Sequence, residues 1–176
     1  MKILLNDTSV LLNLIASDCL QRLSEAVGCQ FAICSAVRDE AKKLRDISTG
    51  EMVTIDTSPY IETGVLQVLD LAGENEAELY IEQSTVVDDG EAMSIAIAAC
   101  RDLELAIDDR KAVKHARRQF PQLHILGTPE LLKRWTEISQ VSPADLRKAI
   151  LMIEGRARYF PGRDHPLYEW WAAAKS

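Results

Sequence analysis

The apolar positions fall into short continuous runs separated by longer stretches of helical spacing. Residues 2–6 (KILLN), 31–34 (FAIC), 52–56, 103–107 (LELAI) and 123–126 are brief and mostly non-alternating, the pattern of strands buried on both faces. Residues 10–16 (VLLNLIA) open a helix whose pattern Leu23 continues. Ser35 is placed to cap a second helix running to about residue 44. Residues 65–71 and 74–83 read as helices parted by Gly73. Residues 90–101 form an Ala- and Ile-rich helix, and 111–118 another. Ser58-Pro59 breaks the chain. Thr128-Pro129 is a cap and first-turn pair, followed by a helical tail interrupted at Pro143, Pro161 and Pro166. Strands alternating with helices predict right-handed crossovers and an α/β fold: a central, mostly parallel sheet covered on both faces. The domain is expected over residues 1–138, with a C-terminal helical extension at 139–176 packed on it or on a partner. Ligands of such sheets bind beyond the carboxyl ends of the strands, near a reversal of strand order.

Composition narrows the class. The chain has 176 residues, 47% of them apolar, which suffices for one well-buried core. No run is long and apolar enough for a membrane span. The opening MKILLNDTSV reaches an acid at Asp7 and lacks the features of a signal peptide. Cys19, Cys29, Cys34 and Cys100 show no C-x-x-C spacing, so neither zinc nor a disulfide framework is expected and a reducing cytoplasm is the expected setting. The net charge of −7 conceals an asymmetry: residues 1–109 carry 7 Lys/Arg against 21 Asp/Glu, residues 110–176 carry 13 against 6. A solvated surface accounts for this; so does an acidic pocket beside a basic track for a polyanion.

Several acids stand where the pattern puts strand ends. Asp7 follows the first strand and precedes a helix, as an N-cap or as a ligand. Asp108 and Asp109 follow LELAI. One suffices as a cap, and two adjacent carboxylates repel unless a cation or basic group intervenes. Glu40 lies on the flank of the stripe formed by Val37, Ala41 and Leu44. Glu91 opens the buried helix at 90–101, and Asp88-x-x-Glu91 has capping-box spacing. Four distant segments thus deliver acids to one end of one sheet. Carboxylates gathered there raise one another's pKa, a cost that Mg²⁺ or Mn²⁺ removes in an all-oxygen site. His115, His124 and His165 lie away from these motifs and read as surface or packing residues.

LLNDTSVLLNL, AVRDEAKKL, DDGEAMSIAIA and LAIDDRKAVKHA, in that order, resemble the PIN domain over about residues 1–130. The Gly-Glu third motif is similar to a prokaryotic group often linked to VapC-type toxins. The resemblance implies a three-layer α/β/α sandwich and a magnesium- or manganese-dependent ribonuclease. It implies that Asp7, Glu40, Glu91 and Asp108 are catalytic, that Asp7, Glu91, Asp108 and Asp109 hold metal, and that Ser9, with Thr8 as second candidate, orders the site. A toxin would also have a small protein antitoxin; a homodimer is a further expectation.

Lys114, Arg117 and Arg118 share a helix face at i, i+3 and i+4 just after the last acids. They are either a solvated face or a phosphate track for RNA. Arg38, Lys42, Lys43 and Arg45 are candidates for its other bank. Trp135, Tyr159, Phe160, Tyr168, Trp170 and Trp171 stud the C-terminal part, for packing, partner contact or base stacking. Two other classes compete. A phospho-acceptor receiver needs its acidic pair after the first strand, where this chain has one Asp. A PIN-like scaffold that binds RNA or protein without cutting would keep the fold while lacking turnover.

Overall fold

The computed structural model describes residues 2–5, 8–40 and 42–175. In chain order its elements are β1 (Lys2–Leu5), α1 (Thr8–Ala16), α2 (Leu20–Val27), β2 (Gln30–Cys34), α3 (Ser35–Asp39), β3 (Lys43–Arg45), β4 (Met52–Thr54), α4 (Ser58–Glu62), β5 (Leu66–Leu69) and α5 (Glu74–Gln83). There follow α6 (Asp89–Arg101), β6 (Glu104–Ala106), α7 (Arg110–Gln119), β7 (Ile125–Leu126), α8 (Thr128–Ile138), α9 (Pro143–Met152), a π-helical turn at Ile153–Ala157, and α10 (Tyr168–Ala173).

Five strands form one parallel sheet in the order β5-β2-β1-β6-β7. Ile3, Leu4 and Leu5 of β1 and Phe31, Ala32, Ile33 and Cys34 of β2 are all fully buried, which is why these runs do not alternate. Helices α3, α5 and α6 pack together, as do α1, α2 and α8, and the whole is a three-layer α/β/α sandwich. From β1 the chain adds β2 and then β5 on one side, and crosses back to place β6 on the other. The strand order therefore reverses between β1 and β6, and the crevice at their carboxyl ends is where an α/β sheet binds its ligands.

Three segments differ from the expectation. Residues 65–71 hold a strand, β5, rather than a helix. It pairs with β2 in the register Phe31↔Leu66 to Cys34↔Leu69, and a short apolar run cannot be told from a helix by periodicity alone. The helix expected to run to residue 44 ends at Asp39. Glu40 is extended (φ −67°, ψ 145°), and the ammonium of Lys42, 2% exposed, donates to the carbonyls of Val37, Arg38 (2.9 Å) and Glu40 (3.0 Å), closing off the helix end. The strand expected at 52–56 is β4. It pairs with β3 in a separate antiparallel hairpin, not in the main sheet. Asp46 Oδ1 accepts from the amides of Ser48 (2.8 Å) and Thr49 (2.9 Å) in the hairpin loop, and Gly50 takes φ +76°.

Smaller differences have equally local causes. α1 stops at Ala16, and Asp18 at φ +56° separates it from α2. Pro143 opens α9 rather than interrupting it, with Ser142 as N-cap accepting from the Asp145 amide. Thr128 is the first residue of α8, not its cap. From there Ala149, Ile150, Ile153 and Trp171 enter the same core as the sheet. Among the described residues no helix is long and apolar enough to cross a membrane.

Candidate active site

The carboxyl ends of β1, β2, β6 and β7 open toward one edge. α6 is docked there by its first turns. The Cys34 thiol, at the end of β2, lies 3.6 Å from the Gly90 carbonyl; Ser94 Oγ lies 3.4 Å from Cys34 Sγ, and Ser35 Oγ 3.7 Å from Met93 Sδ. Burial pushes the Cys34 thiol above its usual range, so it stays protonated and packs as a small apolar group. Asp88 makes no side-chain cap bond to α6, so the capping box expected at 88–91 does not form.

Glu40 reaches back over this junction. The Thr8 hydroxyl, at the head of α1, donates to Glu40 Oε2. Glu40 Oε1 lies against Gly90, 2.9 Å from where a Cβ would stand. Thr8, Glu40 and Gly90, from three separate segments, thus meet at the edge. Glu40 and Ser9 are exposed and Glu91 half-buried. Asp7, between β1 and α1 in the chain, lies outside the described residues.

Asp108 and Asp109 have different neighbours. Asp109 Oδ1 accepts from the amides of Lys111 and Ala112, both at 2.8 Å, and so caps α7. Asp108 Oδ1 accepts from the Thr128 amide (2.9 Å) and the Tyr159 hydroxyl (3.1 Å). Its Oδ2 accepts from Asn13 Nδ2 (3.0 Å) and the Thr128 hydroxyl (2.5 Å). Both of its oxygens are thus engaged. These bonds tie the end of β6 to α1, to α8 and to the C-terminal segment. Burial, and next the Asp108 charge, push the Tyr159 hydroxyl far above its usual range, so it remains a donor at any ordinary pH. Nothing in sequence periodicity singled out Asn13, Thr128 or Tyr159. An Asn on the buried stripe of α1, 1% exposed, was the one available signal.

All-oxygen donors suit a hard divalent ion, and Glu40 offers such a carboxylate. Among the described residues, however, no three His, Cys, Asp or Glu side chains stand close enough together to hold a metal. They fit in donor type and do not by themselves complete a cage.

The three basic residues Lys114, Arg117 and Arg118 are exposed along α7. Lys114 and Arg117, with Arg110, border a cleft of about 480 Å³ that also reaches Asp108, Tyr159 and His165; Arg118 is not part of its lining. On the proposed other bank Lys42 is buried and engaged with carbonyls, Arg38 pairs with Asp39 (2.6 Å) and Arg45 Nε donates to the Gly50 carbonyl (3.2 Å). The histidines are engaged locally: His124 with Glu104 (2.5 Å), His165 with Glu130 (3.5 Å), and His115 buried against Gln83 (2.6 Å). Of the C-terminal aromatics, Trp135 and Trp171 are core residues, 2% exposed, and Phe160 is 60% exposed.

Residues 3–161 match a family model described as a PIN domain, which runs well past the point where motif resemblance ends. No curated protein and no solved structure matches the chain.

Proposed function

Because the chain belongs to the PIN-domain family, whose members are generally nucleases, we propose that it is a metal-dependent endoribonuclease cutting RNA phosphodiester bonds. The observation that carries this reading is the meeting of Thr8, Glu40 and Gly90 at the carboxyl edge of the sheet. In the sequence Asp7 stands directly before Thr8.

Asp7 would bind the ion, Mg²⁺ or Mn²⁺, directly, with Glu40, Glu91 and Asp109 acting on it through retained waters, since the described acids do not by themselves form a cage. Asp109 caps α7 through Oδ1, whereas both oxygens of Asp108 accept from Asn13, Thr128 and Tyr159, so that Asp108 anchors the floor. A bound ion of this kind lowers the pKa of its water and offsets charge on a phosphate. The Thr8 hydroxyl orients Glu40, and the bare α-carbon of Gly90 admits its carboxylate. The Asp108 network fixes the relative positions of α1, α7 and α8. The cations of α7 hold the backbone of the RNA, since phosphate contacts position a chain without reading its sequence.

The test is cleavage of a mixed RNA pool by purified protein with Mn²⁺ or Mg²⁺, beside an EDTA control. Glu40→Gln and Asp7→Asn should each lower the rate by about 10²–10³-fold, the usual loss for a charge-stabilising group, while their melting midpoints stay close to wild type. Binding of RNA without cleavage by the wild-type protein would favour the silent scaffold.

A further inference from the structure

The cleft beside Asp108 has features that holding a metal does not require. Its floor is apolar: Val113 from α7, with Ile125 and Leu126 from β7. Tyr159 and His165 bring two rings to its border from the C-terminal segment. One lip carries Arg110, Lys114 and Arg117. Arg110 pairs with Asp164 across the mouth, and His165 Nε2 lies 3.5 Å from Glu130 Oε1. Among the described residues neither Lys114 nor Arg117 has an ion-pair partner. The cleft thus joins a flat apolar bed to two uncompensated cations on consecutive turns, and it ends at the Asp108 carboxylate.

We propose that this cleft seats one nucleotide of single-stranded RNA next to the cleaved bond, its base on the Val113–Leu126 floor and its phosphates on Lys114 and Arg117. The chemistry matches on both counts. A base has a π-face and low solvation cost on an apolar bed, which makes seating tolerant of base identity. Its phosphates displace counterions from the two cations, which makes it salt-dependent. The cleft is too small for a duplex, so the ligand is single-stranded. The Arg110–Asp164 ion pair and the His165–Glu130 contact are exposed or partly so and cost little to open. The inference rests on the nuclease reading for the word "cleaved"; the seating of a nucleotide stands independently of turnover.

The experiment measures binding in EDTA, where no metal-dependent cleavage occurs. The probe is a fluorescent single-stranded RNA of about six nucleotides, with an abasic chain of equal length and charge beside it. Wild-type protein should bind the abasic chain about tenfold or more weakly, the usual worth of one stacked base. Lys114→Ala/Arg117→Ala should lower the magnitude of the log–log salt slope by roughly 1.4, two phosphate contacts at about 0.7 each. Lys148→Ala, an exposed cation of α9 outside the cleft, should leave the slope unchanged. Val113→Gln, which puts a polar amide into the apolar floor, should reduce the advantage of the base-bearing chain while preserving the salt slope; if that variant melts early, Ile125→Thr replaces it. Equal binding of the two chains, or a slope unmoved in the double variant, would overturn the proposal. A wild-type protein that cuts RNA with Mn²⁺ yet fails these tests would leave the nuclease reading standing without the cleft. One that passes them but cuts nothing would do the reverse.

Discussion

At Gly90 the absence of a side chain sets how near a carboxylate comes to helix α6. A Cβ there would stand 2.9 Å from Glu40 Oε1 and 3.1 Å from Val37 Cγ2. The first of these is the far end of a flexible side chain and can swing away; the second is a core methyl that must give by a few tenths of an ångström. Against this, Ala is better than Gly inside a helix by about 0.5–1 kcal/mol. Gly90→Ala should therefore change unfolding free energy by less than about 1 kcal/mol and yet displace Glu40. On the nuclease reading, RNA cleavage falls by about tenfold or more, since misplacement of a group by an ångström costs that much or greater. Urea melts and initial cleavage rates, taken together, check it; a stable variant with unchanged rate would show that the Glu40 position is not needed.

Helix α7 joins two different jobs on opposite faces. Its outer face carries Lys114, Arg117 and Arg118, while Ala112, His115 and Ala116 are buried. His115, 7% exposed, meets Gln83 of α5, with Nε2 2.6 Å from Oε1; that partner puts the ring proton on Nε2 and leaves Nδ1 buried, with no hydrogen-bond partner among the described residues. Burial depresses its pKa below the ordinary 6.5; Arg118 pushes the same way and Glu82 opposes. The folded state therefore resists a proton that the unfolded chain accepts. Stability from this residue is complete above about pH 6.5 and declines as the pH falls below it, by at most about 1.4 kcal/mol per pH unit. Urea midpoints should accordingly drop between pH 7.5 and 5.5, and His115→Gln should flatten that part of the profile. An equal slope in the variant would assign the pH dependence to other groups.

Across the whole molecule the C-terminal segment is structural as well as basic. Trp171, 2% exposed, donates from Nε1 to Glu154 (2.8 Å), and its ring lies edge-on to Tyr159 with centroids 5.9 Å apart. Tyr159 in turn donates to Asp108. A chain of two contacts, Trp171 to Tyr159 and Tyr159 to Asp108, therefore runs from the last helix to the floor of the candidate active site. Trp171→Ala should cost about 3–5 kcal/mol, as truncation of a buried Trp does. Where the variant still folds, it should also lose affinity for short RNA, because Tyr159 borders the cleft. Guanidinium unfolding and RNA titration measure the two effects. A small stability loss would mean that α10 is only loosely attached.

Periodicity and composition alone determined the layer architecture. Non-alternating runs such as KILL and FAIC have no polar face to expose, so they require a sheet covered on both sides. The Gly-Glu and Asp-Asp motifs likewise revealed which segments carry acids, because loops at strand ends are local in sequence. What needed tertiary structure was anything settled by a distant partner. Residues 65–71 became a strand because β2 offered an open edge. The helix after Ser35 ended early because the buried Lys42 ammonium took its last carbonyls. Asp108 and Asp109, neighbours in the chain and chemically identical, parted because Asn13, Thr128 and Tyr159 converge on one of them while the other caps its own helix. Local pattern carries the cost of leaving backbone or apolar surface unburied. Which of two like groups is held depends on donors up to 95 residues away in the chain, and only packing brings those together.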